Sequence, residues 1–349
     1  MKKILFLLGL GLGIMTATSA LATTPLGGLA VAVSSAGDIL ACAGDNRVLY
    51  ILDTANMEVT KRSWLGVDAV DLKFNGQGST LVIEDTDGTL HLIDSKSWQS
   101  VKRLSKVQQM TTAGSVDLVA GLNPDYNGHV IRFLSMTDFS DKGQIIFPKT
   151  EKVQSLGLNA KGDRLAVLME SVDDATEPKG EKPPADLKNL ALEEFRLKND
   201  GKTAVLKIFA APDGKMISEH KLYYSASSSG CRLLFQGDKV LVVNYTNLNA
   251  VIDEKGAVTL FKLENSYNYG LGFSADQTIL LSGGLADGSY TKVDGLAPVR
   301  FQLDRMSGWP EYFKSFAIAG DGTAYGTTTG YRVIKIKAGG IFDKSTPVF

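Results

Sequence analysis

The groups with which this chain could do covalent or metal chemistry are few. Its histidines are His91, His129 and His220, well separated and without the spacing that brings ligands to one zinc ion. His91 and His220 fall in apolar, alternating stretches and read as structural. No Gly-x-Ser-x-Gly elbow, phosphate-binding glycine loop or Cys-x-x-Cys pair occurs. Glu84, Asp85, Asp87 and Gly88 bring carboxylates together, but they lack the ligand series of a twelve-residue calcium loop, and a tight turn explains them. Asp45, Asn46, Asp125, Asn127, Asn244 and Asn247 lie at other predicted turns and are the candidates if a metal or sugar binds. The reading that follows has no catalytic residue, no cofactor and no metal.

Recognition is better represented than catalysis. Nine of the 11 tyrosines follow residue 220. Tyr223, Tyr224, Tyr245, Tyr267, Tyr269 and Tyr312, with Trp309, fall in predicted loops. Tyr and Trp offer large, stiff contact area with a polar tip, which is why they gather at interfaces. Leu187, Leu190, Ala191 and Phe195 recur at helical spacing, implying a short amphipathic helix beginning near Asp186.

The address of the chain is written in its first residues. Lys2 and Lys3 precede an apolar run, Ile4 to Met15, and Ala20-Leu21-Ala22 gives the small-x-small pattern of a cleavage site. The run is shorter than the roughly 20 residues that span a bilayer. Residues 1–22 are therefore expected to be a removed signal peptide, and the mature protein to be periplasmic or secreted. No later stretch is long and apolar enough for a membrane span. With Lys2 and Lys3 gone, 35 basic residues face 38 acidic ones, which gives no basic face for nucleic acid. Cys42 and Cys231 are read as buried and unpaired, and the protein as a monomer.

The elements that must position these residues come from an internal repeat. An apolar strand, a turn with Gly or a small polar residue, and a second apolar strand recur in 30–44, 70–85, 110–121, 155–170, 233–244, 271–284 and 315–328. The turns centre on Gly37, Gly78, Gly114, Gly162, Gly237, Gln277 and Gly322, at spacings of 41, 36, 48, 75, 40 and 45. The outlier of 75 contains an insertion at 171–203, rich in Pro and charge at its start. Third strands such as 47–53, 89–95, 204–214 and 331–340 run into turns, and a more polar fourth strand follows. One four-stranded sheet has two apolar faces and cannot cover both alone, whereas sheets packed around a ring can.

The turn pattern, with DGTLHLIDSKSWQSVKRL at 87–104, resembles the WD-repeat and YVTN-like β-propeller superfamily. The resemblance covers the whole mature chain. The Trp-Asp dipeptides of true WD repeats are absent, which puts the chain with the looser, WD-like bacterial propellers. The fold expected is all-β, a seven-bladed β-propeller of four-stranded antiparallel blades with a loop-helix insertion in blade 4. The blades are expected at 29–64, 67–105, 107–147, 153–222, 226–264, 268–304 and 309–349. The ring could close by packing alone, with 341–349 as the last strand, or by residues 23–28 pairing with it.

In such a ring, the loops joining second to third strands and those joining successive blades share one face. The insertion and the late aromatics are assigned to that face. The expected function is a non-enzymatic scaffold whose loop face on blades 4–7 receives a protein or peptide through Tyr223, Tyr224, Tyr245, Tyr267, Tyr269, Trp309, Tyr312, Leu187 and Phe195. The alternative is an enzyme or small-ligand binder using the central channel, since propellers of this kind include lactonases and quinone- or amine-linked dehydrogenases.

Overall fold

The computed structural model describes residues 27–348, apart from 115, 124–128, 171, 174–179, 226–230, 266 and 305–310. The expected signal peptide, Trp309, Asp125, Asn127 and most of the start of the insertion lie outside the described residues.

Seven antiparallel sheets form, each from one contiguous stretch of chain; six are four-stranded and ordered from first strand to last, and the fourth blade adds a two-residue strand, Val172–Asp173, paired with Lys202–Ala210. The inner strands are Leu29–Val33, Ala69–Phe74, Gln108–Thr112, Val153–Leu158, Cys231–Gln236, Gly270–Phe273 and Phe313–Ile318. These are the seven blades that the repeat predicts.

The period of two explains the ring. In the second strand of blade 2, Leu81 and Ile83 pack against Ala30, Ala32, Ala41 and Ala43 of blade 1. Val82, between them, packs against Val107, Val119 and Leu134 of blade 3. Every central strand divides its side chains between two neighbours in this way. The buried apolar residues accordingly fall into seven clusters, one at each junction between blades. Each fully buried Leu, Ile or Val contributes roughly 1.5–3 kcal/mol.

Packing and side-chain hydrogen bonds close the ring between blades 7 and 1. Leu29, Val31, Leu40 and Cys42 pack against Ala317, Tyr325 and Val333. The Thr327 hydroxyl donates to the Leu29 carbonyl, Tyr331 to Asp45 at 2.7 Å, and Lys335 to the Thr54 carbonyl at 2.8 Å. The last sheet supplies its own outer strand, Ile341–Pro347.

The first turn of each blade uses left-handed backbone, with φ of 75° at Gly37, 69° at Gly78, 72° at Gly162, 61° at Gly237, 60° at Gln277 and 84° at Gly322. Gly114 is the exception, and its reason is space. A Cβ there would stand 2.4 Å from the Ala275 Cβ of blade 6, so glycine allows a contact across the ring.

Helix α1, Asn189–Asn199, starts three residues after Asp186. Lys188 is its N-cap and makes no side-chain capping bond. Leu197 is its buried residue, and with Leu190 it joins the cluster between blades 4 and 5. Leu187 and Phe195 are half-buried and Ala191 is exposed. The neighbours of α1 are the strands Lys202–Ala210 and Val258–Phe261, outside the inner ring. The helix is therefore packed onto its own blade and the next one.

Cys42 and Cys231 are both buried free thiols, in the junctions of blades 7–1 and 4–5.

Candidate functional site

Loops at opposite ends of a strand lie on opposite faces of the disc. The loops between first and second strands meet across the axis. Ala275 touches Gly114 there. Gln277 donates to the Leu158 carbonyl at 2.6 Å and accepts from the Phe235 N–H at 2.8 Å, joining blade 6 to blades 4 and 5. These contacts narrow the channel at one end and leave a pit of about 610 Å³. Tyr245, Asn268 and Tyr269 line the pit from the other end.

Tyr269 is the hub of an aromatic rim. Its ring lies 5.0 Å from Tyr245, 5.7 Å from Tyr267 and 5.0 Å from Tyr312, centroid to centroid. The pairs with Tyr245 and Tyr312 are edge-on, a favoured arrangement of ring quadrupoles. Tyr267 and Tyr269 keep 48% and 36% of their surface exposed, and Leu285 beside them keeps 42%. Burial, then the neighbouring Tyr269 phenol, pushes the Tyr245 pKa up to about 12, so that phenol stays neutral at physiological pH.

A buried amide network holds the rim. Asn268 donates its backbone N–H to the Tyr245 carbonyl at 2.9 Å and its side chain to the Asn244 carbonyl at 2.6 Å. Asn265 donates to the Tyr267 carbonyl at 2.7 Å and accepts from Ser282 and Ser289 at 2.7 and 3.0 Å. Asn247 accepts from the Leu263 N–H and from Asn249, both at 2.9 Å. The metal- or sugar-ligand reading of Asn244 and Asn247 is corrected: both are buried and spend their polar atoms on the loops that carry the tyrosines.

Tyr312 is fixed from blade 7. Its N–H donates to the Thr329 hydroxyl at 3.0 Å, its carbonyl accepts from the Thr329 N–H at 2.9 Å, and it bridges Leu285. The preceding Glu311 takes a two-point contact from Arg332, the Nε–Oε1 arm at 2.9 Å, plus a bond from Thr328. Both charged groups are buried. Such a pair is hard to break because either partner alone would leave an uncompensated charge.

Of the residues picked from the sequence, Tyr245, Tyr267, Tyr269 and Tyr312 come together. Tyr224 does not join them: it is fully buried in the junction of blades 4 and 5, donating to the Leu248 carbonyl at 2.8 Å. Tyr223 is half-buried beside it. Leu187 and Phe195 belong to the insertion, whose helix packs on blades 4 and 5. The carboxylate group at 84–87 is a turn: Asp85 accepts from the Asp87 and Thr89 N–H groups and holds buried His91 at 2.7 Å. Glu84 accepts the N–H groups of Gln109 and Met110 at 2.7 and 2.8 Å, and burial raises its pKa. Asp45 receives Tyr331, and Asn46 donates to Tyr50. The His129 ring accepts the Val153 N–H at 2.9 Å. Among the described residues, no three His, Cys, Asp or Glu side chains gather as a metal site. No helix there is long and apolar enough to cross a membrane.

The lining of the pit was not foreseen from the sequence. Val70, Gln109, Gln154, Arg232, Leu271 and Lys314 all line it, and each is the second residue of its inner strand. In blades 2, 4 and 7 the pairing with the second strand skips this residue: register shifts fall between Ala69 and Asp71, Val153 and Ser155, and Phe313 and Ser315. A bulge of this kind re-aims one side chain without ending the strand. Asp71 also lines the pit and is matched by Lys73 at 2.8 Å.

No protein-family model matches the chain, and no curated protein does. Solved structures are another matter, with 1629 matching chains, so the likeness is to a widely shared fold. One is the β-propeller domain of Cps50 (Swd1) from Myceliophteria thermophila, with a TM-score of 0.59 at 13% identity, over 86% of this chain and 95% of that one. Sequence identity this low carries the architecture alone. In fold, the chain is a seven-bladed β-propeller.

Proposed function

We propose that this protein is an exported scaffold whose tyrosine rim docks a protein or peptide partner. The observation that carries the reading is the cluster of Tyr245, Tyr267, Tyr269 and Tyr312, assembled from loops of three blades and partly open to solvent. Clustered tyrosines on rigid loops supply contact area at low cost in side-chain entropy. The buried asparagines and the Glu311–Arg332 pair supply that rigidity. Export rests on residues 1–22, with Lys2, Lys3 and the apolar run before Ala22 as its support. On this reading the disc acts in the periplasm or outside the cell.

Capture from a periplasmic extract tests it, comparing the wild type with Tyr267→Ala/Tyr269→Ala and with Lys255→Ala on the opposite face. The reading expects a partner recovered by the wild type and by Lys255→Ala and lost from the tyrosine variant. Equal recovery by all three would remove the rim from the account.

A further inference from the structure

The rim surrounds a charged mouth, and the charges at its level are of one sign. At the second position of the inner strands, blades 3, 4, 5 and 7 present Gln109, Gln154, Arg232 and Lys314, and blades 2 and 6 present Val70 and Leu271. That level holds two cations and no carboxylate. Arg232 and Lys314 are exposed, and among the described residues neither has an ion-pair partner. Nearby acids are hydrogen-bonded elsewhere: Asp71 to Lys73, and Glu84 to two backbone N–H groups, although the Glu84 carboxylate also feels the Arg232 charge without forming an ion pair with it. The chain as a whole has slightly more acidic than basic residues, so this mouth is a local reversal of charge.

We propose that the pit receives an acidic peptide segment, with its Glu or Asp side chains meeting Arg232 and Lys314 and the rest of the segment resting on the tyrosine collar. The inference rests on the docking role of the rim and names the chemistry of the partner. The two observations call for different parts of one ligand: two cations for carboxylates, and a tyrosine collar for apolar contact. A free inorganic anion has no apolar surface to offer the collar. A pit of about 610 Å³ takes a few residues of extended chain and excludes a folded domain.

The test is fluorescence anisotropy of the intact protein with a short fluorescein-labelled peptide of alternating Glu and Gly, its Gln counterpart, and glutarate as competitor. The Glu peptide is expected to bind about tenfold more tightly than the Gln peptide, with a preference that shrinks as ionic strength rises. Arg232→Gln/Lys314→Gln should abolish that preference, and Lys255→Gln should keep it. Equal affinity for the two peptides, or a preference that survives in the double variant, overturns the proposal. Glutarate competing as well as the peptide overturns the peptide assignment and makes the pit a dicarboxylate site. Failure of the rim reading looks different: Tyr267→Ala/Tyr269→Ala would leave both affinities unchanged, whatever the charge preference.

Discussion

Tyr269 and Tyr312 meet edge-on with ring centroids 5.0 Å apart, although one opens blade 6 and the other opens blade 7. The rim thus spans a junction between sheets, and its geometry depends on how each loop is anchored. The consequences can be measured.

Glu311 anchors the Tyr312 side. Replacing it with Ala leaves the Arg332 guanidinium buried without its carboxylate, which costs about 3–5 kcal/mol. Chemical denaturation of Glu311→Ala should show a loss of that size. Replacing both partners, Glu311→Met with Arg332→Met, should cost much less than Glu311→Ala alone.

Asn265 anchors the Tyr267 side. Asn265→Ala removes the acceptor of two buried serine hydroxyls and the donor to the Tyr267 carbonyl. Unsatisfied buried groups cost about 1–3 kcal/mol each. The variant should be less stable, and amide exchange should quicken first in residues 262–270.

Blades 6 and 7 pack closely enough to exclude a methyl group. A Cβ at Gly272 would lie 2.4 Å from the Phe316 carbonyl oxygen. Gly272→Ala should therefore wedge the junction and cost about 1–3 kcal/mol, read as a lower denaturation midpoint with the slope unchanged.

The two thiols make stability fall at alkaline pH. Burial pushes Cys231 up to about 11 from an ordinary value of 9.0, and pushes Cys42 up further. From about pH 9 upward the unfolded chain loses thiol protons that the folded chain keeps, so the folded state loses ground as pH rises. Melting temperature should drop from pH 9 towards 11, and Cys42→Ala/Cys231→Ala should flatten the start of that drop. Iodoacetamide at pH 8 should leave both thiols unmodified until the protein unfolds.

Much of this architecture could be read from residue patterns, because the repeat is carried by local rules. The turn at Gln277 was legible without a glycine, since its flanking strands kept their spacing, and it does adopt left-handed backbone. Four of the rim tyrosines were legible because aromatics crowd into late loops. Tyr224 was not separable from them by pattern: in its own loop, between blades 4 and 5, it turns into the junction between the sheets and finds a carbonyl there. Asn244 and Asn247 resembled ligands because turn asparagines and supporting asparagines have the same local sequence. Arg232 and Lys314 were invisible as a pair because they line one pit only when the ring closes, and the aim of Lys314 depends on a register skip that alternation does not encode.

Placing a photo-crosslinker on the rim in living cells gives the sharpest reading of the whole. Tyr267→p-benzoylphenylalanine puts the probe among the exposed tyrosines, and Lys255→p-benzoylphenylalanine puts it on the opposite face. Illumination should yield a discrete protein adduct from position 267, absent from position 255 and weakened by Arg232→Gln/Lys314→Gln. The same adducts from both positions, or none from 267, would contradict a docking face centred on Tyr269.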